Sequence, residues 1–280
     1  MPALLADRAL VDGIDYVFRR FHGIKVEAVP PDSCLEELVR RGIILPQRTA
    51  FTEAFGLALA YVCYEWRRQV FCPDAWGRYI ERVDFRDKTV LDVGCGTGTT
   101  LRRCLDLGAK RCIGVDVNSA SLDLGRILLA GEPRVEMRMG DGRTLAFEND
   151  VFDVVVCRVA LNLMRADEML SEMARVLRPG GVMFLVVHHA WYYFSMILTG
   201  KPKRMRYGAI ILACDVARQI LGRPTGGETF LTRRRLKRLA AHAHLRPREF
   251  WTPRTFDAYF GAILEKPADV SPDTMGGAAC

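Results

Sequence analysis

The stretch Val90-Leu91-Asp92-Val93-Gly94-Cys95-Gly96-Thr97-Gly98 constrains this chain more than any other. An apolar run ends in a glycine-rich turn, and a helix is expected from Thr99 to Leu107. That is the strand, loop, helix order of a nucleotide-binding unit. Glycines let the backbone come close to a ligand. A helix start offers unpaired N–H groups and the positive end of its dipole, which favours an anionic group there. The same three glycines also occur in plain structural turns, so the choice of ligand rests on their surroundings.

The spacing is G-x-G-x-G, not G-x-G-x-x-G, and Asp92 lies just ahead of the first glycine. A carboxylate there repels a pyrophosphate, which disfavours a dinucleotide. S-adenosylmethionine has no phosphate. Its ammonium suits an acid, and its carboxylate suits the N–H groups of a helix start, so the loop fits that zwitterion better. Two more acids close strand-like runs. Asp116 ends Cys112-Ile113-Gly114-Val115, eighteen residues beyond Gly98, where a carboxylate accepts both ribose hydroxyls. Asp141, in Gly140-Asp141-Gly142, is placed to accept from an adenine amino group.

Strand-like runs at 89–93, 111–115, 135–139, 151–157 and 182–188 alternate with helical stretches, which implies a parallel sheet covered on both faces. Ligands then bind at the carboxyl ends of the strands. At 280 residues, half of them apolar, the chain can bury a sizeable core. Residues 1–84 read as a helical extension. Leu10, Ile14, Val17 and Phe21 recur at helical spacing, Ser33 is a cap for a helix through Arg41, and Pro73 opens a helix toward Arg82. The aromatic stretch from Phe51 to Val70 is either ordinary helix packing or a lid over the cofactor.

These motifs resemble the class I S-adenosylmethionine-dependent methyltransferases. Phe152-Asp153-Val154-Val155-Val156-Cys157 matches the fourth strand of a broad small-molecule subfamily, and Arg175-Val176-Leu177-Arg178-Pro179-Gly180-Gly181 the approach to the fifth. The resemblance covers residues 90 to about 188. It implies a Rossmann-like, seven-stranded, mostly parallel sheet with helices on both faces, with a SAM-binding core at 85–190. By the same match Asp92, Gly94, Gly96 and Gly98 hold the methionine end, Asp116 the ribose, and Asp141 with Gly142 the adenine. Cys95, Thr97, Val117 and Cys157 complete the expected cofactor set. Residues 191–229 are then a helical cap insertion over the acceptor. Residues 230–266 supply a helix capped by Thr232, with the stripe Leu236, Leu239, Ala240 and Ala243, and a closing strand pair near 246–252 and 257–265. The tail, 267–280, reads as disordered.

The net charge of +7 is uneven: residues 201–250 hold 13 Lys and Arg against 3 acids. Nine cysteines show no C-x-x-C pair and no zinc spacing, as in a reduced, cytoplasmic protein. The N-terminal residues become charged too early for a signal peptide, and His188 and His189 interrupt the one long uncharged run, Gly180 to Gly200, so no membrane span is expected.

Transfer of a methyl group is an in-line displacement that relies on holding acceptor and methyl aligned. No Asn-Pro-Pro-Tyr type motif and no metal-holding carboxylate follow strand four, which disfavours amino methylation of adenine or glutamine and a magnesium-assisted catechol mechanism. His188 and His189 leave the fifth strand at the ligand edge, and strand alternation points one of them toward the pocket as a candidate base. The expected acceptor is a small, largely apolar or aromatic molecule, with an anionic or carrier-linked portion accommodated by Lys201, Lys203, Arg204 and Arg206. Two rival readings are an RNA methyltransferase using the basic 201–250 face, and a non-enzymatic interaction protein of the same fold. No RNA-binding module is recognisable and the cofactor motif is intact, which weighs against both.

Overall fold

The computed structural model describes residues 2–26, 28–71, 78–162, 165–198, 202–221, 231–252 and 259–268. Seven strands form one sheet: β1 (Thr89–Val93), β2 (Arg111–Asp116), β3 (Val135–Met139), β4 (Phe152–Arg158), β5 (Leu177–His188), β6 (Arg246–Trp251) and β7 (Tyr259–Glu265). Their order is β3-β2-β1-β4-β5-β7-β6. Strands β1 to β5 are parallel, and β7 runs antiparallel to β5 and β6. Within β1, Leu91 is flanked by Ile113 and Val155. Side chains alternate across the sheet. Val90, Val154, Val156 and Phe184 thus feed one core, and Leu91, Val93, Val155 and Leu185 feed the other. Both faces are buried, which accounts for the continuous apolar runs of these strands.

The N-terminal helices are α1 (Pro2–Ala6), α2 (Arg8–His22), α3 (Asp32–Arg40) and α4 (Gly56–Trp66). Asp7 caps α2 through Leu10 N–H at 3.2 Å, and Gly23 ends it at φ +66°. Leu10, Ile14 and Val17 are buried as their spacing predicts, while Phe21 in the last turn is 48% exposed. Ser33 is not the cap of α3. The helix starts at Asp32, and the carbonyl of Pro31 accepts from Cys34 and Leu35, because proline's fixed φ sets the entry two residues earlier. Helix α4 runs into a π-helical turn, Arg67–Phe71. Pro73 lies outside the described residues.

Between the strands lie α5 (Thr99–Asp106), α6 (Ser119–Leu128) and α7 (Ala166–Val176). Strand β5 begins at Leu177, earlier than the apolar run at 182: Leu177 pairs with Phe152, and the register shifts before Val154 pairs with Val182. After β5 come α8 (Ala190–Leu198) and α9 (Pro202–Leu221), then α10 (Arg233–His242). Thr232 caps α10 through Arg235 N–H at 3.1 Å. Leu236 and Ala240 are buried there, with Leu239 and Ala243 packed beside them. Of the tail, residues 269–280 lie outside the described part.

Because β2 and β4 lie on opposite sides of β1, the chain reverses its direction of travel at the β1–β4 pair. Crevices for ligands open at such switch points, outside the carboxyl ends of the strands.

Candidate cofactor and acceptor site

The loop after β1 is built as its sequence requires. Gly94, Gly96 and Gly98 have φ of +77°, +53° and +77°. At Gly94 an added Cβ would stand 2.3 Å from Ala160 Cβ, so the loop lies directly on the segment after β4. At Gly96 an added Cβ would meet nothing within 4 Å, so the loop is bare toward the crevice. The Cys95 side chain turns inward and covers Gly114, and burial pushes its thiol pKa up. Asp116 braces the loop: its Oδ2 accepts from Gly96 N–H and its Oδ1 from Asn118 N–H, each at 2.8 Å.

Asp92 is 1% exposed, and its Oδ2 has no hydrogen-bond partner among the described residues. Burial pushes its carboxyl up to about 7, against the opposing pull of the Arg158 guanidinium and with a further push from Asp116. A buried, unpartnered carboxylate under a bare glycine loop is what an ammonium group would satisfy.

Two cavities meet at this point. The smaller, about 170 Å³, is lined by Asp116, Val117, Gly140, Gly142, Ala160 and Met169 among others. The larger, about 310 Å³, lies over the other face. It takes Cys95, Gly96 and Thr97 from the loop, Tyr61, Tyr64, Glu65, Arg68 and Gln69 from α4 and the π-turn, and Tyr259 from β7. Gly94, Arg158 and Val159 line both. Val159 has φ +67°, a strained left-handed position for a β-branched residue, at the junction of the two cavities.

The residues expected at the cofactor site separate into groups. Gly94, Cys95, Gly96, Thr97, Asp116, Val117 and Gly142 line one or the other cavity, and Asp92 lies buried beneath the loop. Gly98 starts α5 against Leu129 and Met137. Asp141 is not among the lining residues: Arg143 holds its carboxylate with side-chain and backbone N–H groups at 2.9–3.1 Å, and these bonds hold its pKa down. Cys157 is fully buried in the core, because strand alternation gives the cavity face to Arg158 instead.

His188 is 6% exposed and boxed by aromatic rings. It stacks on Tyr192 with centroids 4.0 Å apart, lies 4.7 Å from Tyr259, and has its Nδ1 3.3 Å from the Tyr193 hydroxyl. Burial pulls its pKa down to about 4, so the ring is neutral. Asn162 fixes the strand end by accepting from His188 N–H and donating to its carbonyl. His189 turns to the opposite face, beside Phe260, and its Nδ1 accepts from Trp191 N–H at 3.3 Å. Burial and Arg233 lower its pKa. Of the pair, His188 is the one that packs behind the wall of the larger cavity, its ring against that of Tyr259. The insertion helices α8 and α9 add no residue to the lining of either cavity among the described residues.

Sequence reasoning missed the polar chain that joins α4 and the π-helical turn to α5 and the end of β4. Arg158 Nη1 donates to Thr100 Oγ1 (3.2 Å), Thr100 Oγ1 donates to Gln69 Oε1 (3.1 Å), and Gln69 Nε2 donates to Glu65 Oε2 (2.8 Å). Gln69 and Thr100 are buried. The only signal for Arg158 was its place at the end of β4, level with Asp116 at the end of β2.

Residues 90–181 match the family model of a methyltransferase domain. The demethylmenaquinone methyltransferase of Clavibacter sepedonicus is 38% identical over 93 residues, which are 33% of this chain and 38% of that protein. The protein of the same name from Symbiobacterium thermophilum is 32% identical over 129 residues, 42% of this chain and 51% of that one. The alignments thus span about two-fifths to half of these relatives. The crystal structure of an S-adenosylmethionine dependent methyltransferase from Mesorhizobium loti superposes with a TM-score of 0.53 at 14% identity, covering 69% of this chain and 98% of that one. At such identity the likeness shows the fold. None of the described helices is long and apolar enough to cross a membrane.

Proposed function

We propose, from the premise that this chain belongs to the class I S-adenosylmethionine-dependent methyltransferases, that it O-methylates a small aromatic acceptor in the larger cavity, without a metal ion. The observation that carries the reading is the wall of that cavity: three tyrosines, Tyr61, Tyr64 and Tyr259, with two cations, Arg68 and Arg158, directly beside the glycine loop. Tyrosines desolvate and stack a ring, and guanidinium groups hold an oxyanion or an acidic substituent. Glu65 is the one acid among the described residues of the wall, and Arg68 pairs with it at 2.9 Å. The curated relatives named above carry demethylmenaquinone in their names, and only the class, a small molecule with a ring, is carried over to this chain.

S-adenosylmethionine, when bound, supplies an electrophilic methyl group. The residues of this chain position and deprotonate. Asp92 holds the ammonium end, the bare loop at Gly96 and the start of α5 take the carboxylate, and Asp116 takes the ribose with its unused lone pairs. Val117 and Met169 enclose the base. Alignment of an acceptor oxygen with the methyl group supplies much of the rate. His188, kept neutral by burial and 4.7 Å behind the Tyr259 ring, is the base this reading assigns to the acceptor's proton, which requires that a bound acceptor bring its hydroxyl within hydrogen-bond reach of that imidazole.

Methyl-labelled cofactor incubated with fractionated cell extract, followed by identification of the labelled product, tests the assignment. The expected product is an aromatic methyl ether, formed equally well in EDTA. A labelled nucleic acid, or a product made only with added magnesium, would overturn it. The cavity wall gives a second check. Tyr61→Ala and Arg68→Ala should raise the acceptor's KM while leaving affinity for S-adenosylhomocysteine nearly unchanged.

A further inference from the structure

Arg158 is the cation of the larger cavity whose charge is not committed to the protein. Arg68 pairs with Glu65 at 2.9 Å, whereas no carboxylate lies within ion-pair distance of Arg158 among the described residues. Thr100 Oγ1 takes one of its N–H donors, and the others have no partner among those residues. Its pull on Asp92 is electrostatic, without a hydrogen bond between the two. With an ammonium on Asp92 and a carboxylate on the glycine loop, as assigned above, the cofactor leaves Arg158 without an anion. The foot of the side chain is fixed: Arg158 pairs with Val186 at the end of β4, and Val159 N–H donates to the Val186 carbonyl at 2.7 Å. Where the guanidinium points is therefore decided by Thr100.

Thr100 is itself held by a chain that has a single polarity. A guanidinium cannot accept, so Arg158 donates and the Thr100 oxygen accepts; the hydroxyl proton then goes to Gln69 Oε1. That turns the Gln69 amide nitrogen toward Glu65, whose ionised carboxylate only accepts and also takes Arg68. Every donor meets an acceptor from one cation of the wall to the other. Gln69 and Thr100 are 5% and 6% exposed, so a lost bond leaves a buried group unsatisfied. The turn that carries Gln69 is π-helical, and its first residue, Arg67, pairs with Asp12 of α2 at 2.6 Å. The turn is thus clamped by α2 on one side and α5 on the other. A fully satisfied buried network rigidifies what it holds.

We propose, on the reading that the larger cavity takes the acceptor, that Arg158 holds an anionic group of that acceptor and selects for it, and that Thr100 and Gln69 are positioning residues that aim the guanidinium. Arg158 lines both cavities, so an anion on it lies where the cofactor side and the acceptor side meet. An aromatic ring bearing a carboxylate suits this wall: the tyrosines take the ring, and the uncommitted edge of the guanidinium matches a carboxylate with two parallel N–H bonds.

Equilibrium binding of benzoate and of benzamide to the protein saturated with S-adenosylhomocysteine tests it. The two share a ring and a planar substituent and differ in charge, so the ratio of their affinities reads the cation. Benzoate should bind roughly tenfold more tightly, and Arg158→Met should bring the ratio to about one. Thr100→Val keeps the shape and removes the hydroxyl; it should lower the ratio about threefold, Gln69→Met likewise, and the double variant no further, because both act through one chain. Thr100→Ser should keep the ratio. A loss of packing alone would weaken both compounds together and would spare neither the valine nor the serine variant. Equal affinities in the wild type, an unchanged ratio in Arg158→Met, or equal losses in the valine and serine variants would overturn the proposal. So would Arg158→Met lowering the affinity for S-adenosylhomocysteine with the ratio intact, since the guanidinium would then serve the cofactor. Failure of the cavity reading has its own signature: neither compound binds, or Tyr61→Ala leaves both affinities untouched, and the proposal falls with it.

Discussion

Asp116 Oδ2 accepts a hydrogen bond from the Gly96 N–H at 2.8 Å, across twenty residues of sequence. One carboxylate thus shapes the middle of the glycine loop and lines the smaller cavity. Replacing Asp116 by Ala removes a charged acceptor from both tasks. Affinity for S-adenosylhomocysteine should fall by about 1.5–3 kcal/mol, roughly ten- to a hundredfold. Calorimetry checks this, and unchanged affinity would contradict the role.

Gly94 and Gly96 both sit at positive φ but face different surroundings. Gly94→Ala drives a Cβ to 2.3 Å from Ala160 Cβ and should destabilise the fold by about 1–3 kcal/mol as well as weaken the cofactor. Gly96→Ala meets no protein atom within 4 Å, so it should cost the fold only about 1 kcal/mol of backbone strain while losing cofactor affinity by more. Denaturant unfolding with parallel calorimetry separates the two; equal effects on stability would contradict the geometry.

Asp92 gives a pH signature. Its folded pKa of about 7 lies above the unfolded value of 3.8, so the protonated form stabilises the fold. That contribution is present in full below about pH 4 and is lost as pH rises through about 7. The cofactor-free protein should therefore lose this increment of stability between about pH 4 and pH 7, and Asp92→Asn should remove the dependence. A ligand ammonium favours the carboxylate, so S-adenosylhomocysteine should bind with proton release near pH 6. Calorimetry in buffers of different ionisation enthalpy reads that proton.

His188 behaves in the opposite sense. Its folded pKa of about 4 is below the ordinary 6.5, so its contribution is present above about 6.5 and is lost as pH falls toward 4. Because the ring is already neutral at pH 6, kcat should show no inflection from His188 near 6.5. His188→Ala should lower kcat about 10²-fold with cofactor affinity nearly intact, and His189→Ala should have little effect. Normal turnover in the His188 variant would assign the proton to another group.

Much of the fold was legible because both faces of the sheet are buried. Strands with alternating residues in two cores read as apolar runs, and the five parallel strands fall close to where those runs lie. The glycine loop and Asp116 were legible for a related reason: a backbone that must take positive φ needs glycine, and a strand end beside the crevice needs a polar side chain. The acceptor side was not. Gln69 meets Thr100 across 31 residues and Thr100 meets Arg158 across 58, and no local pattern states that the turn after α4 folds over the loop. The aromatics of that segment fit a core stripe equally well. The apolar helices of the insertion suit a roof over the acceptor equally well by sequence; among the described residues they bury stripes on each other, and the aromatic lining of the larger cavity is Tyr61, Tyr64 and Tyr259.

The bond from Leu231 N–H to the His188 carbonyl has a consequence for how such a protein can change. The chain departs from the sheet and rejoins it at one point, so everything between is a detour whose two ends are already pinned. Lengthening a closed loop costs little, about 0.6 kcal/mol per doubling. The detour can therefore be exchanged for one of another length or surface while β5, α10 and the cofactor loop keep their places. Inheritance can thus vary the surface that this detour presents without disturbing the strands and loops at its base, and a designer can graft a different hairpin between the same two residues.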